Sequence, residues 1–184
     1  MKTIKYLIII FITLIISNQV KSNDNIITSL NEGGKIIFIR HALAPGNGDP
    51  ANFDINDCNT QRNLSNDGIN QSKNIGKFFQ RNKIEIDKVL SSEWCRCKDT
   101  AFYSFKKFET YDALNSFYDI KFSNNKKKQI LDLKNYIKKW NSDKNLVLVT
   151  HYVVILEILG QPVSSGEIIV SDKMYNIIGS IKTM

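Results

Sequence analysis

Two histidines and four arginines stand out in a chain that otherwise writes its cations as lysine. Of 25 basic residues only Arg40, Arg62, Arg81 and Arg96 are arginine, and His41 and His151 are the only histidines. Where lysine serves for any cation, a retained arginine marks a place that needs a planar fork of donors, able to hold two oxygens of one oxyanion. A neutral imidazole can attack phosphorus and carry the transferred group, while a second can donate to the oxygens on which charge spreads. Arg40 and His41 end the apolar run 35–40, Arg96 follows the run 88–91 by a short turn, and His151 ends the run 145–150. Two histidines and two arginines at such ends predict a strongly cationic pocket with no carboxylate built in. Its matching ligand is a dianion such as a phosphoryl group. The cations are side chains, so the chemistry calls for no metal and no cofactor.

The elements that must position these residues alternate in kind. Residues 35–40 (KIIFIR) and 145–150 (NLVLVT) are nearly unbroken apolar runs, the pattern of strands buried on both faces of a parallel sheet. Residues 88–91 form a shorter strand of the same type, and 167–170 and 176–181 are candidate closing strands. Ser65 is an N-cap for a helix through Arg81, with Ile69, Phe78 and Phe79 on its apolar face. Residues 26–32, 96–105, 126–140 and 152–159 read as further helices. In the 126–140 helix the lysines face away from Ile130, Leu133, Ile137 and Trp140, a solvated face without assigned function. The alternation predicts an α/β fold in three layers, a mostly parallel sheet with helices on both faces. Ligands of such sheets bind beyond the carboxyl ends of the strands, where the scarce residues stand. The long polar stretch 42–63 holds Pro45 and Pro50; loops of that length are commonly functional.

Composition narrows the partners. The 184 residues are 42% hydrophobic and 23% charged, which fits one globular domain and excludes a disordered chain. The formal charge of +7 includes Lys2, Lys5 and Lys21, in a segment 1–22 without acids. The remaining excess is mild and scattered, so charge gives no reason to expect nucleic acid. Residues 1–22 read as a secretory signal: a basic start, an apolar run 7–16 broken only by Thr13, and a cleavage site before Asn23. A run of ten residues falls short of a membrane span. The expectation is therefore a mature domain, residues 23–184, that is exported to the periplasm or beyond and has no stable membrane span after cleavage. In an oxidising compartment three cysteines predict one disulfide, between Cys58 and either Cys95 or Cys97, with one thiol left over.

Four segments carry a family resemblance. Phe38-Ile39-Arg40-His41-Ala42 resembles the R-H-G signature of the histidine phosphatase superfamily, the phosphoglycerate mutase-like branch. Arg62-Asn63-Leu64-Ser65-Asn66-Asp67-Gly68 is similar to its R-x-L-[ST]-x-x-G segment. The stretch from Ser91-Ser92 through Arg96-Cys97-Lys98-Asp99-Thr100-Ala101 is similar to its S-x(4)-R-A-x-x-T-A, and residues 147–151 to its second histidine strand. The resemblance implies the phosphoglycerate mutase-like fold and a metal-independent phosphomonoesterase. His41 would be the nucleophile, Arg40, Arg96 and His151 the holders of the phosphoryl group, and Arg62 a brace of the loop. The family's acid, a Glu in an L-x-E setting, is missing: this chain has Leu114-Asn115-Ser116. Asp119 and Glu93 are the remaining candidates. In export signal, size and cysteines beside the second Arg, the chain resembles the lipopolysaccharide core heptose phosphatase type. A phosphorylated small molecule or an envelope glycan or lipid phosphate is the expected partner.

Rival chemistries fail on spacing. No cysteine is followed six residues later by arginine, as a tyrosine-phosphatase loop requires, and the chain has neither G-x-x-x-x-G-K-[ST] nor G-x-S-x-G. The competing reading outside catalysis is an anion-binding module that has lost turnover. The absent acid favours it, and the intact Arg40, His41, Arg96 and His151 set opposes it.

Overall fold

The computed structural model describes residues 25–183, so the expected export segment lies outside the described residues. In chain order the elements are α1 (residues 25–32), β1 (Ile36–Arg40), α2 (Asn66–Arg81), β2 (Ile86–Ser91), α3 (Cys95–Phe105), β3 (Glu109–Thr110), α4 (Lys126–Lys139), β4 (Asn145–Thr150), α5 (Tyr152–Leu159), β5 (Ile168–Ser171) and β6 (Ile177–Ile181). The strands form one sheet in the order β3-β2-β4-β1-β5-β6. The β3, β2, β4 and β1 pairings are parallel, and β5 and β6 add two antiparallel strands at the other side. The result is the expected three-layer α/β sandwich with a mostly parallel sheet.

The pleat sorts the central strands into two cores. Ile36 and Phe38 of β1 join Leu146 and Leu148 of β4 under Leu133, Ile137, Val154 and Ile158 of α4 and α5. Ile37 and Ile39 join Val147 and Val149 against Ile26 and Leu30 of α1, Ile75 and Phe79 of α2 and Ala101 of α3. Because both faces are covered, β1 and β4 have no polar alternation, which is why their sequences read as continuous apolar runs.

α2 begins as its sequence predicts, with the Ser65 hydroxyl accepting from the Gly68 N–H at 3.1 Å. Its buried face is displaced from the expected one. Gly68, Gln71, Ser72, Ile75 and Phe79 are buried, whereas Ile69 and Phe78 are only partly covered. The first turns of α2 press on loop backbone rather than on apolar core. Gln71 Oε1 accepts from the Leu43 N–H at 3.0 Å, and Gln71 Nε2 donates to the Ser165 carbonyl at 2.9 Å. A Cβ at residue 68 would lie 2.1 Å from the Leu43 carbonyl oxygen, so only glycine lets the helix approach this closely. That contact fixes the chain two residues past His41.

Candidate active site

The parallel register sets Arg40 opposite Thr150, so the next residue of each strand, His41 and His151, emerges at the same carboxyl edge. The His41 N–H donates to the Thr150 carbonyl at 2.9 Å, and the Gly166 N–H reaches the Arg40 and His41 carbonyls at 3.2 Å. The end of β1 is thus gripped from β4 on one side and from the turn leading into β5 on the other. The two imidazoles meet edge-on with ring centroids 5.5 Å apart, and each residue is 3% exposed.

The tautomer of His41 follows from its partner. Nδ1 lies 2.8 Å from the Ala42 carbonyl oxygen, which can only accept. Nδ1 therefore carries the proton and Nε2 holds the lone pair. Burial, reinforced by the charge of Arg96, holds the His41 pKa well below the ordinary imidazole value, against the opposing pull of the Ala42 bond. His41 is neutral at neutral pH, with a lone pair on Nε2, a form in which an imidazole can act as a nucleophile.

Arg96 sits in the second turn-end of the site, at the start of α3, and is 3% exposed. Its Nη1 donates to Asp49 Oδ1 at 2.7 Å and to the Arg62 carbonyl at 3.3 Å, and its Nη2 donates to Asp49 Oδ2 at 3.1 Å. Nε is buried and has no hydrogen-bond partner among the described residues. A guanidinium has five N–H groups in fixed directions, so the Asp49 carboxylate and one carbonyl use the end-on side and the outer Nη1 hydrogen. What is left is the parallel side-on pair, Nε–H and the second Nη2–H, which matches two oxygens of an oxyanion. Arg40 repeats the arrangement: Nη1 donates to the Val163 carbonyl at 2.9 Å, and Nε is buried without a partner among the described residues.

The expectation of a pocket without a carboxylate is corrected by Asp49. Besides Arg96, its carboxylate accepts from the Arg62 N–H at 3.0 Å and from Trp94 Nε1 at 3.0 Å. Burial alone would raise its pKa; the hydrogen bonds and charge of Arg96 outweigh that and hold it below the usual carboxylate value. Sequence reasoning missed Asp49 because it lies in a Gly- and Pro-rich loop where no periodicity predicts direction. Its approach to a residue 47 positions away leaves no local signal.

Arg62 anchors the same loop, donating from Nε to the Gly48 carbonyl at 2.8 Å and from Nη1 to the Ala44 carbonyl. It also lines the cavity with Arg40, His41, Arg96 and His151. Arg81 is exposed at the end of α2 and is not among the cavity residues. The disulfide joins Cys58 to Cys95, the first residue of α3, and ties the loop to the helix that presents Arg96. Cys97 is the remaining thiol; its burial pushes its pKa up to about 12.

The cavity has a volume of about 300 Å³. Of the two acid candidates, Asp119 lines it and Glu93 does not. Glu93 faces the neighbouring pocket, where its carboxylate accepts from Asn115 Nδ2 at 2.6 Å. Among the described residues no group of three or more His, Cys, Asp or Glu is placed to hold a metal ion. No helix of the described residues is long and apolar enough to cross a membrane.

No protein-family model and no curated protein matches the chain. Solved structures do. The protein histidine phosphatase SixA complexed with tungstate matches 81% of this chain and 97% of its own, at TM-score 0.57 and 16% identity. The chain has the phosphoglycerate mutase-like fold. SixA from Agrobacterium tumefaciens matches 81% of this chain and 98% of its own, at TM-score 0.57 and 17% identity. A phosphoserine phosphatase mutant from Entamoeba histolytica, in complex with phosphoserine, covers 74% and 89% at TM-score 0.52 and 19% identity. Within this phosphoglycerate mutase-like fold, Arg40, His41, Arg96 and His151 converge on one cavity at the carboxyl edge of the sheet.

Proposed function

We propose that this chain is a metal-independent phosphomonoester hydrolase of the histidine phosphatase type, working through a phosphohistidine on His41. The observation that carries the reading is the state of the cavity's polar groups. His41 Nε2 holds a lone pair, and two guanidinium groups keep buried Nε donors without partners among the described residues. Unsatisfied buried donors of this kind await an anion. Proteins that share the fold are named as phosphatases, one in complex with tungstate and one with phosphoserine.

In the first step His41 Nε2 attacks phosphorus as the ester P–O bond breaks. The electron pair leaves with the oxygen, which takes a proton from Asp119, the carboxyl lining the cavity, or from water. The forks of Arg40 and Arg96 hold the equatorial oxygens as charge redistributes. In the second step water attacks the phosphohistidine and gives one proton back to the Asp119 carboxylate or to solvent; the N–P bond breaks, its electron pair returns to His41 Nε2, and inorganic phosphate leaves. Arg62 and Asp49 hold the loop and the Arg96 fork in place.

The substrate in this reading is a phosphorylated small molecule, or the phosphate of an envelope glycan or lipid reached after export. Residues 1–22 are proposed as the removed signal and 23–184 as the catalytic domain. The Cys58–Cys95 disulfide supports an oxidising compartment. A second reading, an anion-binding module without turnover, is favoured by one observation: Ser116, not a carboxylate, occupies the Glu position of the L-x-E setting.

The test is hydrolysis of p-nitrophenyl phosphate by the mature protein in EDTA, beside His41→Ala. The expected result is EDTA-resistant turnover, lost in His41→Ala while vanadate still binds. Turnover retained in His41→Ala would overturn the mechanism. Vanadate binding without turnover against any phosphoester would establish the binding module instead.

A further inference from the structure

A short chain of hydrogen bonds, buried at His151 and partly buried at Asn115 and Glu93, runs away from the cavity behind His151. The Glu93 backbone N–H donates to Asn115 Oδ1 at 2.9 Å, and Asn115 Nδ2 donates to Glu93 Oε2 at 2.6 Å. Flipping the amide would set two donors and two acceptors face to face, so its orientation is fixed. Ser92 Oγ lies 3.0 Å from the same Oδ1 and 2.9 Å from His151 Nε2. A serine hydroxyl has one hydrogen, and Oδ1 can only accept, so that hydrogen goes to Asn115. The Ser92 oxygen is left to accept from His151, which must then carry its proton on Nε2. No hydrogen bond engages His151 Nδ1 among the described residues.

We propose that Asn115, acting through Ser92, holds the proton of neutral His151 on Nε2 and leaves Nδ1 as a lone pair, so that the cavity takes up one proton with each oxyanion it binds. A lone pair facing a phosphoryl oxygen repels it; a proton placed between them turns the contact into a charge-assisted bond. The proton comes from solvent, or arrives on a phosphate monoanion. It ends on His151 Nδ1, shared with a non-bridging oxygen. Asn115 is thus a positioning residue; it directly precedes Ser116, which stands where the L-x-E setting has its acid. The proton-uptake half rests on the oxyanion site proposed above; the tautomer does not.

The surroundings of His151 are consistent with a neutral ring in the free protein. Arg96 and Cys97 face it from α3, Arg40 and His41 from the end of β1, and Arg62 from the loop, with the Trp94 ring 5.4 Å away edge-on. Burial first, then Arg96, His41, Arg62 and Arg40, depress its pKa well below the ordinary value. The Cys97 sulfur is 3.5 Å from Nε2, a weak second contact on the same side of the ring.

The experiment reads the tautomer directly and the proton separately. Nitrogen-15 NMR of the imidazoles in the free protein is expected to show His151 protonated on Nε2. In Asn115→Ala the Ser92 hydroxyl is released to donate to the ring, and the proton moves to Nδ1. The exchanged pair Asn115→Asp with Glu93→Gln keeps an acceptor toward Ser92 and is expected to restore the Nε2–H form, which separates positioning from folding. Cys97→Ala leaves the tautomer unchanged. Calorimetry of tungstate binding in buffers of different ionisation enthalpy, above the ordinary imidazole pKa, is expected to show uptake of one proton. Linkage then weakens binding about tenfold per pH unit. In Asn115→Ala both the uptake and the pH slope vanish. An Nδ1–H tautomer in the wild type overturns the proposal. So does uptake that persists in Asn115→Ala, which would put the proton on His41. Failure of tungstate to bind the wild type would overturn the proton uptake together with the proposed function, while the NMR result still decides the tautomer.

Discussion

The two walls of the cavity are held by opposite means. The carboxyl edge of β1 and β4 places His41 and His151 by strand register, and the strands behind them are held by apolar burial on both faces. The loop between β1 and α2 places Asp49 and Arg62 with few apolar anchors, chiefly buried Ala44 and the partly buried Phe53 and Ile55. It is fastened by a carboxylate on Arg96, by arginine-to-carbonyl bonds and by one disulfide. A sheet edge is fixed by many small, redundant contacts, whereas such a loop depends on a few strong ones. Single substitutions should therefore act very differently on the two sides.

The largest effect is expected at Asp49. Asp49→Ala leaves Arg96 buried and unpaired, and breaking a buried pair typically costs about 3–5 kcal/mol. Both partners are well covered, at 3% and 10% exposure, so solvent screens the loss little. Urea unfolding measures it, and an unchanged midpoint would show that the fork is held by something other than Asp49. Cys58→Ser comes next. It opens a loop whose ends are 37 residues apart, which the chain-entropy model puts at about 3–4 kcal/mol. Thermal unfolding with and without reductant should give the same loss for the wild type, and no reductant effect in the variant.

Acid reaches the two walls in turn. The folded pKa values of His41 and His151 are depressed, so the unfolded chain binds protons that the native state refuses. The stability is present above the ordinary imidazole pKa and is lost as pH falls through it. Asp49, also depressed, adds its loss further into the carboxylate range. Midpoints recorded from neutral to acid pH should fall in those two stages. The smallest effect belongs to the sheet: Ile39→Val, one residue from Arg40, is expected to cost about 0.5–1.5 kcal/mol, with turnover against p-nitrophenyl phosphate little changed. A large loss of turnover there would mean that the edge is less redundant than its contacts suggest.

The same contrast explains what could be read in advance. The runs 35–40 and 145–150 announce doubly buried strands, and the residues that end them fall together because parallel register leaves no other place. Ser65 announces the start of α2. The buried face of that helix was not legible, since Gly68 and Gln71 are buried against loop backbone and carry no hydrophobic signal. Nor was β3, whose two residues are too short for any period. Asp49, Ser92 and Asn115 take their roles from hydrogen bonds between distant segments, which leave no trace in local spacing. The choice of Cys95 over Cys97 depends on which side of α3 each faces: Cys97 is buried in the core on the sheet side.

The central claim is that His41 carries the phosphoryl group. It is tested most directly by trapping the intermediate: brief incubation of the mature protein with a phosphorus-labelled aryl phosphate, an alkaline quench, and mapping of the label. The account predicts an acid-labile, base-stable phosphoryl group on the peptide that contains His41, absent from His41→Ala. Turnover with no such label, or a label on any other residue, would contradict it.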